Sequence, residues 1–387
     1  MATSTTSSRW AVAFLFFACG FLYGGWVAHI PSTQSEFQLS EGRLGSLLFV
    51  IATGAVGMMS LCGALIQRLG SRHVAVVAAL ANAGALCGVF LAPSEGWLVV
   101  ALFLFGAAGG AMDVAMNDQA VLVQRRYGRS IMSSFHALFS VGGLAGALIG
   151  ALALRLGEAA LLQGGLSAVL VGAGTTWAAP HLIEATITQN RRLFGLALDR
   201  RLLGPALLML VCFMSEGVVA DWAALYLRDH ACTSAATAPL GFAAFSVTMT
   251  AGRLFGDALI DHLGQKTTAA AGGMVASGGM ALALAVPTPA VGILGFALVG
   301  MGLSNLVPMI FTKAGNVPGL PSSDGLATVS VAGYGAFLAG PPFIGYLAEY
   351  TSLPAALRLL VAFGLIIAMA ASGFVPERSR KAVQRKE

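Results

Sequence analysis

The chain has 387 residues, of which 57% are hydrophobic and only 10% are charged, and its net charge is +5. Soluble domains carry roughly 25% charged residues, so this composition excludes a soluble protein and indicates a membrane protein. The basic residues lie in short loops without a nucleic-acid-binding motif, which argues against nucleic acid as a partner. Five cysteines, without metal-ligand spacing, predict neither a disulfide framework nor a metal site, and no cofactor is expected.

A helix that crosses a bilayer needs about 20 apolar residues. Twelve segments of the chain qualify, so we predict an all-α membrane protein with twelve transmembrane helices, called spans 1 to 12. They cover residues 10–30, 44–66, 74–92, 97–120, 131–154, 159–179, 204–227, 238–260, 267–287, 289–313, 326–350 and 354–375. Breaks that contain proline or glycine separate several of them, as at 93–96 and 287–289.

The placement of lysine and arginine predicts the orientation of the spans. With the N-terminus inside, most of the 22 basic residues fall on one side of the membrane. The exceptions on the other side are Arg43, Arg155, Arg228 and Arg358. Because cytoplasmic loops carry the excess of basic residues, both termini are predicted to be cytoplasmic.

The two halves of the chain repeat each other at an offset of 194 residues. At that offset QRLGSR (67–72) aligns with DHLGQK (261–266), Gly106 with Gly300, and LAG at 144–146 with LAG at 338–340. Two parallel six-helix repeats around a midplane substrate site are the architecture of one class of secondary transporter. We therefore predict an N-terminal six-helix bundle at 1–180, a cytoplasmic linker at 181–203, a C-terminal six-helix bundle at 204–375 and a basic tail at 376–387.

The loop between spans 2 and 3 reads GALIQRLGSR (63–72). It resembles the loop signature of the major facilitator superfamily, roughly G-x-L-x-D-R-x-G-R-R, and the resemblance covers essentially the whole chain. Gln67 stands where that family usually has aspartate, whereas the repeat in the second half retains Asp261. The resemblance implies a gating role for Gln67, Arg68, Arg72 and Asp261.

Three further stretches, MDVAMNDQA (112–120), SSFHALFSVGGLAGA (133–147) and SEGVVADWAALYLRD (215–229), resemble the YbjJ-type group of bacterial inner-membrane transporters. They are more distantly similar to the sugar–proton symporters of the fucose permease group. The resemblance implies a multi-pass protein of the bacterial inner membrane. The antiporter signature of span 5 is incomplete, because its glycines are present without the proline.

Three ionisable groups inside the spans are candidates for proton coupling. An aspartate at a helix centre costs about 2.5–3.5 kcal/mol to insert, so such a group needs a partner, a cavity or a proton. Asp113 in span 4 and His136 in span 5 are expected at similar depth on neighbouring antiparallel helices. They form either a proton-responsive pair or a structural hydrogen bond. Glu216, in the middle of span 7 without a predicted partner, is the best single candidate, and a structural role as a neutral hydrogen-bond donor is the alternative.

Polar and aromatic side chains within the spans are candidates for a substrate cavity, because they suit sugars and other polar solutes. Two acid–base pairs are candidates for gates, each formed in one state and broken in another: Asp221 with Arg228 in span 7, and Arg253 with Asp257 in span 8. The cavity candidates, each of which also has packing or interfacial anchoring as an alternative, are Asn117, Tyr23, Trp26, Trp222, Asn305 and Tyr334.

These features predict a monomeric, proton-coupled symporter of a sugar-like or small polar metabolite that works by alternating access. Its partners are the solute, protons and the lipid bilayer. Proton-coupled efflux of amphipathic compounds and passive facilitation are the alternatives. A membrane receptor would need a soluble signalling domain, and an intramembrane enzyme would need a nucleophile or metal constellation. Neither is recognisable in the sequence, so no enzymatic activity is expected.

Overall fold

The computed structural model describes residues 5–127, 131–157, 159–184, 199–320 and 322–373, and its regular elements there are helices. The first half contains α1 (Thr5–Glu36), α2 (Glu41–Phe90), α3 (Glu95–Tyr127), α4 (Met132–Leu156), a π-helical stretch (Ala159–Gly165) and α5 (Leu166–Ala178). The second half contains α6 (Leu203–Asp229), α7 (Leu240–Leu254), α8 (Gly256–Leu263), α9 (Gln265–Ala285), α10 (Pro289–Leu303), α11 (Leu306–Gly315), α12 (Ser322–Tyr350) and α13 (Leu353–Ala370).

The predicted spans coincide with these helices, although some are joined or divided. Spans 2 and 3 together form α2, which bends at Gly70. Span 8 is divided into α7 and α8 at Phe255, and span 10 into α10 and α11 at Ser304 and Asn305. Within the described residues, nine helices are long and apolar enough to cross a membrane. The division into bundles at 1–180 and 204–375 stays a prediction, since residues 185–198 of the linker and the tail at 376–387 lie outside the described residues.

The backbone repeats at the predicted offset. Gly70 has φ 78° and ψ 146°, and Gly264, 194 residues later, has φ 79° and ψ 156°. Residues with a side chain rarely adopt a positive φ, whereas glycine does so without a steric penalty. Glycines at equivalent positions of the repeat therefore reverse the chain, Gly70 between spans 2 and 3 and Gly264 between spans 8 and 9.

Helix packing repeats at the same offset. A Cβ atom added to Gly106 of α3 would lie 2.0 Å from the carbonyl oxygen of Ile51 in α2. A Cβ atom added to Gly300 of α10 would lie 2.3 Å from the carbonyl oxygen of Phe245 in α7. Ile51 and Phe245 are also 194 residues apart. The two halves thus share backbone-to-backbone contacts, which small residues permit in membrane helices.

We expect Gly106→Ala to destabilise the protein, because the methyl group would push α3 away from α2. Overpacking of this kind costs about 1–3 kcal/mol. The measurement is the thermal unfolding midpoint of the purified protein in detergent. Gly57→Ala in α2 is the matched control, because nothing lies within 4 Å of its added Cβ atom. An unchanged midpoint for Gly106→Ala would contradict the close contact.

Candidate functional site

A carboxylate and a guanidinium meet inside the second half. Oε1 of Glu216, near the middle of α6, lies 3.5 Å from Nη2 of Arg253, near the end of α7. The Glu216 and Arg253 side chains keep 19% and 35% of their accessible surface, although Oε1 of Glu216 itself is buried. The expectation that Glu216 has no partner is corrected, because only the packing of the helices brings Arg253 of another span next to it.

Arg253 is held by a break in a neighbouring helix. Its Nε donates to the carbonyl oxygen of Ser304 at 3.3 Å. In a continuous α-helix that oxygen would accept from the amide four residues later, but residue 308 is a proline and has no N–H. The division of span 10 at Ser304 and Asn305 thus frees this particular carbonyl group. Pro308 thereby leaves an acceptor for the guanidinium that pairs with Glu216.

Two glycines on either side of Arg253 let it reach the broken helix. A Cβ atom added to Gly252 would lie 2.3 Å from Oγ of Ser304, and one added to Gly256 would lie 1.8 Å from Oδ1 of Asn305. A larger residue at either position would meet the side chain of Ser304 or Asn305, so the glycines let the two segments of span 8, α7 and α8, lie close to the break between α10 and α11. The spacing Gly252-Arg253-x-x-Gly256 therefore positions the guanidinium.

The predicted gate between Arg253 and Asp257 stays a prediction, because the side chain of Asp257 lies outside the described part of the structure. The described contacts of Arg253 are with α6 and with the break between α10 and α11, which are elements distant in sequence. The four-residue spacing on one helix face was compatible with a local ion pair, but it could not reveal these tertiary partners.

The predicted pair of Asp113 and His136 is not formed. Nδ2 of Asn117 lies 3.2 Å from Oδ1 of Asp113 and 2.9 Å from its carbonyl oxygen. The ring of His136 packs edge-on against Phe16, with centroids 5.1 Å apart. Within the described residues no hydrogen bond or ion pair joins Asp113 to His136.

Asp113 and His136 do not meet because their helices, α3 and α4, are not packed against each other as the sequence suggested. The short loop between α3 and α4 suggested that these helices are neighbours, but α4 packs far more extensively against α1 than against α3. A Cβ atom added to Gly142 would lie 2.0 Å from the carbonyl oxygen of Phe17, and one added to Gly146 would lie 2.1 Å from that of Phe21. Although α3 and α4 follow each other in sequence, they are therefore not packed side by side.

The predicted pair of Asp221 and Arg228 is also absent, and Arg228 turns towards the other half of the chain. Its Nη1 donates to the carbonyl oxygen of Pro31 and, at 2.8 Å, to Oγ of Ser35. Its Nη2 donates to Oε1 of Gln34 at 2.6 Å. These acceptors lie near the C-terminus of α1, where exposed carbonyl groups favour a cation.

A second charge joins the halves at the same end. Oε2 of Glu349, at the end of α12, accepts from the amide of Gly42 at 2.8 Å and from Oγ of Ser40 at 2.9 Å. These groups form the N-terminus of α2, where free amides favour an anion. Arg228 and Glu349 of the second half thus hold the two helix ends that flank the loop between α1 and α2. Glu349 was missed at the sequence level because it lies at the predicted end of a span.

The cavity candidates fall into two groups. Trp26 and Trp222 are 1% and 0% exposed, so they belong to the packed interior and do not line a cavity. Asn305 is also buried, and its Nδ2 donates to Oγ of Ser304 at 3.2 Å. These three assignments are corrected. A sequence pattern could not tell a side chain that faces a cavity from one that faces another helix.

Tyr23 and Tyr334 are partly exposed. The ring of Tyr23 in α1 meets that of Phe242 in α7 edge-on, with centroids 6.3 Å apart. Tyr334 in α12 makes a similar contact with Phe213 in α6, also at 6.3 Å. The ring contact of Tyr23 therefore joins the two halves, whereas that of Tyr334 lies within the second half.

The loop between spans 2 and 3 is fixed by a residue that was not singled out. Nε2 of Gln119 donates to Oγ of Ser71 and to the carbonyl oxygen of Ile183, both at 2.8 Å, and its Oε1 accepts from the amide of Ile183 at 2.8 Å. Gln119 is fully buried. The sequence feature that could have identified Gln119 is its position in the polar run at residues 112–120.

The predicted gating residues of this loop are at the surface. Gln67, Arg68 and Asp261 are exposed, and Nη1 of Arg72 lies 3.6 Å from Oε1 of Glu184. Their role in gating stays a prediction. The geometry shows only that they surround the two chain reversals at Gly70 and Gly264.

The repeated halves and the long apolar helices with ionisable groups among them define an integral, multi-pass membrane protein with the repeat architecture of secondary transporters. The family model described as Major Facilitator Superfamily matches residues 10–323. The chain therefore belongs to the major facilitator superfamily, as the loop signature indicated.

Two relatives match nearly the whole chain. The membrane protein MosC of Rhizobium meliloti is 37% identical over 374 residues, which cover 95% of this chain and 90% of that protein. An uncharacterised MFS-type transporter of Yersinia pestis is 35% identical over 373 residues, which cover 92% of each chain. Both support membership of the superfamily.

Solved structures share the fold. A mutant of the nucleoside transporter NupG superposes with a TM-score of 0.79 at 13% identity, covering 95% of this chain and 99% of that one. A bacterial homologue of the human lysosomal transporter Spinster, in an inward-facing and unoccupied conformation, gives a TM-score of 0.71 at 13% identity, covering 96% and 97%. At this identity the likeness concerns the fold alone.

We expect the double variant Arg228→Gln/Glu349→Gln to open the end at which these side chains join the halves. Hydrogen bonds to charged groups contribute about 1.5–3 kcal/mol each, so the open population should rise about tenfold or more. Spin labels at positions 36 and 351, in an otherwise cysteine-free protein, would report a longer distance by double electron–electron resonance.

The matched control is Arg43→Gln. It breaks an exposed ion pair at the same end, with Nη2 of Arg43 2.6 Å from Oε2 of Glu95, but within the first half only. The label distance in this control should stay that of the wild type. Equal distances in the double variant and the wild type would show that the two charges do not hold the halves together.

Proposed function

We propose that the protein is a proton-coupled secondary transporter that moves a small polar solute across the plasma membrane by alternating access. The observation that carries this proposal is the ion pair of Glu216 and Arg253, which lies within apolar helices and remains partly accessible. Charged groups inside a membrane protein are costly and commonly belong to ion or substrate pathways. The pair is therefore the candidate coupling site.

The proposed coupling step is the protonation of Glu216. A proton on the carboxylate removes its charge, so the electrostatic attraction to Arg253 is lost while the guanidinium keeps its contact with Ser304. Arg253 belongs to α7, which packs against α4 of the first half. A change at the ion pair thus acts on an interface between the halves, where the alternating motion takes place.

The proposed topology has twelve spans with both termini in the cytoplasm, in the bacterial inner membrane, and the functional unit is a monomer. The positive-inside distribution of arginine and lysine supports this orientation. With it, the end closed by Arg228 and Glu349 is periplasmic. The structure would then correspond to a state closed to the outside.

The free energy released by one proton that crosses the membrane is sufficient to accumulate a solute. One proton that moves down a potential of 100 mV supplies about 2.3 kcal/mol. At about 1.4 kcal/mol per tenfold concentration ratio, this supports a solute gradient of roughly fiftyfold. One titrating carboxyl group is therefore enough for accumulation of a solute.

A sugar-like or other small polar metabolite is the proposed solute. Tyr23 offers an aromatic face where the halves meet, Tyr334 offers a partly exposed ring in the second half, and Asn117 offers an amide beside Asp113. One observation favours a second candidate, proton-coupled efflux of cationic amphipathic compounds. Asp113 has an amide rather than a cation as its hydrogen-bond partner, so its carboxyl group is available to a positively charged solute.

The test uses purified protein in liposomes that contain pyranine, a pH-sensitive dye. Sugars, polyols, nucleosides, amino acids and cationic drugs are added in turn to the outside. Symport acidifies the interior, antiport makes it more alkaline, and passive facilitation leaves the pH unchanged while labelled solute still enters. With an active solute, we expect Glu216→Gln to slow the proton movement at least about tenfold, because the amide cannot carry the proton.

The control variant is Glu95→Gln, which removes an exposed carboxylate far from the pair. It should move protons as the wild type does. Exchange of labelled solute across the membrane should persist in Glu216→Gln, since exchange needs no net proton transfer. Full proton movement in Glu216→Gln would exclude Glu216 as the coupling group and leave Asp113 as the next candidate.

A further inference from the structure

A long groove lies on the surface of the first half, between α3 and the part of α2 that follows Gly70 (residues 71–90). Its volume is about 660 Å³. Leu69 and His73 line one end, and Gly88 and Trp97 line the other. At about 1.5 Å per helical residue, the distance from His73 to Gly88 is about 22 Å. This is more than half of the roughly 30 Å hydrocarbon thickness of a bilayer.

Four alanines of the groove stand where the second half has glycines that bring its helices into contact. In the second half, α9 and α10 touch at two glycine pairs: an added Cβ on Gly272 would lie 2.5 Å from the oxygen of Gly302, and one on Gly279 would lie 2.8 Å from that of Gly295. At the positions 194 residues earlier the first half has alanines, all of which line the groove: Ala78, Ala85, Ala101 and Ala108. Their methyl groups occupy positions at which glycine lets the helices of the second half touch.

The lining suits hydrocarbon rather than water. Its floor consists largely of small apolar residues, and its rims include Val77 and Trp97, which are 65% and 55% exposed. The indole nitrogen of Trp97 already donates to the carbonyl oxygen of Gly88 at 3.1 Å. A water molecule needs two to four polar partners to be held in such a site, and the lining does not offer them. An unbranched hydrocarbon chain fits against a groove floor that is lined by alanine and glycine.

The end of the groove near the turn at Gly70 is basic. His73 lines the groove, and Arg68 is adjacent to the lining residue Leu69 and exposed. Within the described residues Arg68 has no acidic partner, whereas Arg72 is paired with Glu184. Basic residues at this level attract anionic phospholipid head groups.

We propose that this groove is a binding site for one phospholipid, with an acyl chain between α2 and α3 and an anionic head group against Arg68 and His73. The site lies on the outer surface of the first half, away from the ion pair of Glu216 and Arg253. The proposal does not depend on the transported solute.

The test compares two glycines that are related by the internal repeat. Gly84 lines the groove, and Gly278 is its counterpart in α9, where glycine pairs hold the helices together. Nothing lies within 4 Å of a Cβ atom added to either residue, so both positions have room for a first side-chain atom. Purified wild type, Gly84→Leu and Gly278→Leu are incubated with phosphatidylglycerol in detergent and examined by native mass spectrometry.

We expect one retained phosphatidylglycerol in the wild type and in Gly278→Leu, and its loss in Gly84→Leu. Ala81→Leu, which also fills the groove, should give the same loss and serves if Gly84→Leu does not fold. Equal retention in all variants, or equal loss from both leucine variants at 84 and 278, would overturn the site.

The head-group assignment has its own variant. Arg68→Gln should lower the retained phosphatidylglycerol about fivefold, the factor expected when one basic residue is removed near an anionic surface. Retention of zwitterionic phosphatidylcholine, which is expected to be weaker in the wild type, should change little. An unchanged affinity for phosphatidylglycerol would show that the head group does not lie against Arg68.

Discussion

The attraction between Glu216 and Arg253 is the interaction on which the arrangement of the second half depends. Two charges within apolar helices are tolerated only when they meet each other or another polar group. Arg253 satisfies this condition at both ends of its guanidinium, since it faces Glu216 and also donates to the carbonyl oxygen of Ser304. That oxygen is free because residue 308 is proline. A broken helix therefore positions a charge, and the charge joins α6 and α7 to the break between α10 and α11.

The internal repeat preserves the turns and helix contacts of the two halves, but the charged residues of the ion pair occur in the second half without counterparts in the first. The turns at Gly70 and Gly264 and the contacts of Gly106 and Gly300 recur at one offset. At the positions 194 residues before Glu216, Arg253 and Pro308, the first half has Leu22, Met59 and Val114. Consequently α3 continues without a break where its counterpart is divided. Such asymmetry allows one half to contain the ion pair while both halves keep the same helix packing.

The halves are joined by charges that interact with helix ends. Arg228 binds near the C-terminus of α1 and Glu349 binds at the N-terminus of α2, so each charge meets the end of the helix dipole that attracts it. Contacts of this kind form over short distances and are lost when helices separate, which suits a connection that must be broken in a transport cycle.

The sequence by itself determined the membrane class, the helical segments, the repeat and the superfamily, because apolar length, glycine positions and loop motifs are local properties of the chain. It also identified Glu216, Arg253 and Arg228 as unusual, since charges in apolar segments are conspicuous. Only the tertiary structure decided their partners. Asp113 and His136 seemed to be paired because their helices are consecutive, yet α1 packs against α4 in place of α3. Which side chains meet depends on the order of helices around the bundle, and that order results from contacts between residues far apart in sequence.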